Sequence, residues 1–268
     1  MRDTRDMLLV LLSSLLMLTG CSRRDILDDY PVSGVEISLD WNGVTNKLPE
    51  GVRVIFYPKN AEGRKIDTYL SVKGGKVKVP PGRYSVVVYN YDTETVQIRG
   101  EEAYETIEAF TGHCNGLGIA GTEQLVWGPD PLYVVRIDDL KIENSEEELQ
   151  LNWKPKLVVK TYSFKLKVQG LEYVSSIVGS IEGMSSCYDL GLGCGKAGDS
   201  PIYFAARGSA GEVTGSFTVF GTSEGVISRA GNAIKLTLAF VKTDNKVQKM
   251  EVDITEVIAN SESGGSGG

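Results

Sequence analysis

A chain of 268 residues with 41% hydrophobic side chains can form one large all-β domain or two of ordinary size. It needs neither metals nor dense disulfides to bury a core. Its 28 Lys and Arg stand against 35 Asp and Glu, a net charge of −7, which excludes a general pull toward nucleic-acid phosphates or anionic lipid heads. No CxxC or Cys/His spacing suits zinc, and no residue pattern calls for a cofactor.

The chain opens with Arg2, Asp3, Arg5 and Asp6, followed by an apolar run from Met7 to Leu18. That is the layout of a secretory signal. A dozen or so apolar residues are too few for a membrane-spanning helix, which needs about 20. The run ends in Leu18-Thr19-Gly20-Cys21, which resembles a bacterial lipobox. In such a motif residues 1–20 are removed and the Cys21 thiol carries lipid, palmitate included. An ordinary cleaved signal with a chance cysteine is the competing reading. Residues 21–34 read as a tether of alternating charge, with Arg23, Arg24, Asp25, Asp28 and Asp29. Its acidic residues resemble the surface-export signals of Bacteroidetes lipoproteins, although Arg23 and Arg24 depart from that pattern.

Strands are predicted almost without interruption thereafter. Val35, Ile37, Leu39 and Trp41 alternate with polar residues, which puts one face inward. Val52 to Tyr57 is nearly all apolar, as expected of a central strand covered on both faces. Lys76 to Val79 alternates again, Pro80-Pro81-Gly82 is a turn, and Tyr84 to Tyr91 is the strongest β segment. Thr95 to Ile98 and Tyr133 to Ile137 complete a first set spanning 35–145. Within it, Glu101 to Phe110 reads as a short helix or a strand, and His113 to Pro131 as a glycine-rich loop.

The acidic stretch at Glu143 and Glu146 to Glu148 is taken as the junction. A second set over 146–259 begins with Leu149, Leu151 and Trp153 inward. It continues with Tyr162, Phe164, Leu166 and Val168 inward while Lys165 and Lys167 face solvent. Further strands are expected at 174–181, 202–206, 213–220, 234–241 and 250–254. Short strands between Gly and Asn turns argue for sandwiches over βαβ units. Residues 260–268 form a flexible Ser/Gly tail.

Few residues carry a chemical signature. Gly116-Leu-Gly118-Ile-Ala-Gly121 matches a dinucleotide fingerprint as a string, but Gly128 and Pro129 follow too soon for the helix that chemistry requires. Gly191 to Lys196 imitates a phosphate loop one residue short. His113 is the only histidine, and its neighbour Cys114 points elsewhere from an adjacent position. With Cys21 committed to lipid, Cys114, Cys187 and Cys194 remain. Cys187 and Cys194 are the candidate disulfide, or else all three are free or buried thiols. Trp127 is the candidate sugar-stacking residue, against the reading that it plugs one end of a sandwich.

Several segments together resemble a known family. They are Leu-Pro-Glu-Gly-Val-Arg-Val-Ile-Phe-Tyr-Pro (48–58), Pro-Pro-Gly-Arg-Tyr-Ser-Val-Val-Val-Tyr-Asn (80–90) and Val-Gln-Gly-Leu-Glu-Tyr-Val (168–174). Gly-Ser-Phe-Thr-Val-Phe-Gly (215–221) and Val-Asp-Ile-Thr-Glu-Val-Ile (252–258) complete them. With the lipobox, they are similar to the fimbrillin-associated anchor lipoproteins of Bacteroidetes. The resemblance implies two consecutive transthyretin-like, Greek-key β-sandwiches and a non-enzymatic role as pilus anchor or adhesion component at the outer membrane. It transfers only Cys21, as the lipid site. The implied partner is a fimbrial subunit held by strand addition, for which Lys165 and Lys167 mark the candidate edge. Met250 to Ile258 is the candidate for a donated strand. The competing function is a surface glycan-binding lipoprotein of a polysaccharide-uptake system.

Overall fold

The computed structural model describes residues 33–60, 63–114, 124–197, 200–221 and 233–263. Cys21, most of the tether and the Gly116 to Gly121 string lie outside the described residues. In chain order the strands are β1 Ser33–Leu39, β2 Gly51–Pro58, β3 Ile66–Ser71, β4 Gly74–Val79, β5 Gly82–Asn90, β6 Val96–Arg99 and β7 Glu108–Thr111. There follow β8 Val126–Trp127, β9 Tyr133–Ile142, β10 Leu149–Trp153, β11 Lys156–Leu157, β12 Val159–Lys167 and β13 Val174–Glu182. The last are β14 Ser185–Asp189, β15 Cys194–Ala197, β16 Ile202–Ser209, β17 Glu212–Phe220, β18 Lys235–Lys242 and β19 Val247–Asp253, before helix α1, Thr255–Ser263.

Three sheets take up these strands: β10-β1-β4-β3-β2-β5-β9-β11, then β15-β14-β7-β6, then β12-β17-β16-β13-β18-β19 with β8 beside β16. The protein is all-β and sandwich-like. β2 lies mid-sheet between β3 and β5, as its apolar run predicts. Its successive side chains serve opposite cores, because neighbours along a strand point to opposite faces. Val54 and Phe56 join Val86, Val88, Val35 and Ile37 on one side. Ile55 and Tyr57 join Val87 and Tyr89 on the other, against Val96 and Ala109 of the four-stranded layer and Ile107 just before β7. Each fully buried side chain of this size contributes about 1.5–3 kcal/mol, and two covered faces make β2 and β5 the most heavily buried strands of this sheet. Beyond the small layer, Arg53 closes the same face. Its guanidinium forks onto Asp67 (2.8 and 2.6 Å) and also bonds Glu101 and the Tyr89 hydroxyl.

The third sheet has one main apolar face, although Val159 and Phe220 at one end join the core under the small layer. Ile177, Ile181, Phe204, Phe217, Leu236, Leu238 and Phe240 point to that main face, and Ile258 of α1 packs there at 4% exposure.

The path of the chain departs from expectation in three places. Leu149, Leu151 and Trp153 do point inward, but into the first core, because β10 pairs in parallel with β1. β11 likewise pairs with β9, so hydrogen bonding carries residues 149–157 into the first sheet. Alternation shows which face is buried but not which sheet receives it. Second, residues 185–197 form a hairpin whose β14 pairs with β7, so the later half of the chain completes the small layer. Third, the expected donated strand is half helix: β19 stops at Asp253 and Ile258 is buried in α1. The helix runs to Ser263, into the expected tail. In the first half, Glu108–Thr111 is the strand alternative of the ambiguous 101–110 segment.

Candidate partner-binding edge

β12 pairs with β17 alone among the described residues and so ends its sheet. Nine register pairs run from Val159↔Phe220 to Lys167↔Glu212 without a bulge. Tyr162, Phe164 and Leu166 are half-buried on the core side, where Tyr162 stacks on Phe217 (5.4 Å) and Phe164 meets Phe204 edge-on (5.5 Å). Thr161, Ser163, Lys165 and Lys167 are exposed.

Backbone direction follows from the register. Val168 N–H donates to Gly211 O (2.9 Å), and Gly221 N–H donates to Val158 O (2.9 Å). In an antiparallel ladder every second residue bonds the partner strand, so the even-numbered residues of β12 face β17. The odd-numbered ones, Lys165 included, turn N–H and C=O toward the open side. The Lys165 ammonium meets Glu212 at 2.7 Å, with both side chains substantially exposed. Exposed pairs of this kind contribute at most about 1 kcal/mol. Lysines along an open edge also discourage indiscriminate pairing.

A second open edge escaped sequence reasoning. β9 is bonded by β11 only at Tyr133 and Val134, leaving the rest of that side unpaired among the described residues. It lines a cleft of about 840 Å³ with residues 42–46 and 152–158. This edge is irregular. Its register against β5 slips between Tyr84 and Val86, and such bulges twist an edge away from intruders. Charge covers it too: Arg136 forks onto Asp138 at 2.7 Å, and Arg83 pairs with Asp139. A run of Asp138-Asp139 looks like solvated surface in sequence, so nothing there announced an edge.

The other singled-out residues are scattered. Cys187 and Cys194 are free thiols. Register pairs Cys187 with Lys196 and Cys194 with Asp189, so the two lie diagonally across β14 and β15. Diagonal positions stand about 7–8 Å apart, beyond the usual Cα span of a disulfide. Burial, with Glu108 nearby, also raises the Cys187 thiol and keeps it protonated. Cys114 is pushed up to about 11 by burial. Lys196, the would-be phosphate lysine, is held by Asp189 (2.8 Å) and Glu108 (3.1 Å). His113 is exposed and bridges Val126 through its backbone. Trp127 is 37% exposed and leans edge-on against Tyr203 at 5.3 Å, far from β12's outward lysines in the ladder. Among the described residues no group of three or more His, Cys, Asp or Glu converges as a metal site.

Residues 20–205 match the family model described as a domain of unknown function, DUF5119. The chain belongs to this family. Over its whole length it is also 62% identical to a proposed fimbrium anchoring subunit, Fim4B, of Bacteroides ovatus, covering 84% of that protein. A solved structure of a proposed adhesin from Bacteroides ovatus is 60% identical. It covers 90% of this chain and 89% of its own, with a TM-score of 0.81. The fimbrial anchor protein Mfa2 of Porphyromonas gingivalis is 10% identical with a TM-score of 0.52, over 85% of this DUF5119 chain and 83% of its own. That last likeness is one of fold.

Proposed function

We propose that this DUF5119 protein is a non-catalytic fimbrium anchor, attached to the outer membrane by lipid on Cys21 and exposed at the cell surface. Its partner is a fimbrial subunit, held by a strand added along β12. The 62% identity, over the whole of this chain, to a proposed fimbrium anchoring subunit carries the role. The regular, unbulged edge of β12 supports the mode, since strand addition rests on main-chain hydrogen bonds and needs a straight open ladder. β9 offers a poorer template because of its bulge and its acid–base cover. The glycan-binding alternative has less support, as Trp127 is only 37% exposed and packs against Tyr203.

The test is Lys165→Pro. Proline removes an N–H that points outward, so the folded monomer survives while a ladder bond to the partner is lost. Capture of fimbrial subunit by purified protein should fall at least tenfold, with an unchanged circular dichroism spectrum. Undiminished capture sinks β12 as the edge. Cys21→Ser separately tests the anchor: the protein should move from detergent-extracted membrane to the soluble fraction.

A further inference from the structure

The first strand of the described chain is held in an arrangement suited to tension. β1 lies between β4, antiparallel, and β10, parallel. Leu39 N–H donates to Lys73 O (3.2 Å) and Asp40 N–H to Trp153 O (2.8 Å). Odd-numbered residues of β1 therefore bond β4, and even-numbered ones bond β10. Five register pairs join β1 to β10, from Val35↔Leu149 to Leu39↔Trp153.

Direction decides what a pull does to those pairs. The tether enters at Ser33, the start of β1. The path to the third sheet leaves from Trp153, the end of β10, through Val158. Because the two strands are parallel, force on the tether drags β1 backward while force from the later half, once the short β11–β9 pairing and the Val158 bond to Leu132 give way, drags β10 forward. The pairs are then loaded together, sliding past one another, and none can open before its neighbours. Had β10 been antiparallel to β1, the same forces would act at adjacent ends and part the pairs one at a time. A strap crosses this join: Glu148, just before β10, reaches over β1 to Lys76 of β4 (2.8 Å). The crossing is at Gly34, where a Cβ would sit 2.9 Å from the Glu148 side chain. Gln150 also donates to Glu36 across the same pair of strands (2.9 Å).

We infer that β1 and β10 form a shear clamp that lets the folded protein transmit tension between its N-terminal tether and whatever its later half holds. This rests on the anchor reading, since only an anchor is pulled between two attachments. The clamp itself is a property of the isolated chain and is tested without a partner.

Single-molecule pulling on the full chain carrying Cys21→Ser separates the directions. With one handle at the N-terminus, the second is placed at exposed Lys154, beyond the end of β10, or at exposed Glu146, before its start. The same five pairs are sheared in the first geometry and peeled in the second. The shear geometry should unfold at a several-fold higher force. Ser38→Pro, which removes one N–H facing β10 at an exposed position, should lower that force. Equal forces in the two geometries overturn the clamp, whatever the proline variant does. A strong clamp in a protein that captures no fimbrial subunit would instead leave the clamp standing and remove the anchor reading.

Discussion

The first and third sheets solve the same problem with opposite economies of sequence. β2 and β5 carry apolar residues at nearly every position, because the first sheet is covered on both faces. From Thr161 to Lys167 β12 alternates strictly, because there the third sheet buries one face and gives the other to solvent; only its start, Val159, joins Phe220 in the core under the small layer. A strand closed on both faces has nothing left with which to recognise a partner. An alternating edge strand keeps a folded side and a free side at once, which is why the partner capture proposed above falls on the third sheet and the inferred tension on the first.

The sharpest way to break this contrast is to place a charge on each face. Val87→Asp and Val88→Asp should both cost roughly 3–5 kcal/mol, as each buries an unpaired carboxylate against a different core. In β12, Phe164→Asp should destabilise while Ser163→Asp stays within about 0.5 kcal/mol. Urea denaturation decides it: a tolerated charge at Val87 would mean that the small layer does not cover that face.

The glycines sharpen the comparison at smaller scale. A Cβ on Gly179, in β13, would sit 2.0 Å from the Phe204 ring, so Gly179→Ala should cost about 1–3 kcal/mol through overpacking. Gly75, in β4, has only a Leu70 methyl at 3.3 Å, and its alanine variant should be near neutral. Equal thermal shifts for the two variants would argue that Phe204 moves aside freely.

The smallest effect concerns acid. The Tyr104 hydroxyl (2.7 Å), and then Arg136, hold the Asp138 carboxyl below its ordinary range. A depressed folded pKa gives stability that is present above the unfolded value and lost as pH falls through the folded one. Asp138 is largely exposed, so solvent screens the effect and it should amount to a few tenths of a kcal/mol. The stability gap between the protein and Asp138→Asn should close between about pH 5 and pH 2. A gap unchanged at the acid end would assign the effect to packing rather than charge.

How much of this was legible follows from which signals are local. Alternation in Val35 to Leu39 and in Tyr162 to Leu166, and the run at Val52 to Tyr57, depend only on neighbours a few residues away. Burial on one face or two was therefore readable. The destination of Leu149 to Trp153 was not, because its pattern fits any sheet with an open edge, and the vacant side of β1 is about 110 residues distant in sequence. The hairpin at 185–197 was hidden for a different reason: its glycines and cysteines suggested a cross-linked loop. Of the candidate edge, the lysines were visible in sequence, whereas the absence of a neighbour beyond them among the described residues is a fact of topology.

That hairpin also sets a timetable. β14 and β15 leave the ribosome about 75 residues after β7, yet β7 depends on β14 for its second neighbour. Until residue 197 has been made, the layer over Ile55, Val87 and Tyr89 consists of β6 and β7 alone, a pair too small to stand by itself. The early half must therefore wait, half-roofed and with one side of β7 unpaired, for about 45 residues beyond the end of β10. A nascent chain stalled in that interval would be the form most in need of a chaperone, and truncation just before Ser185 should strand the first half there permanently.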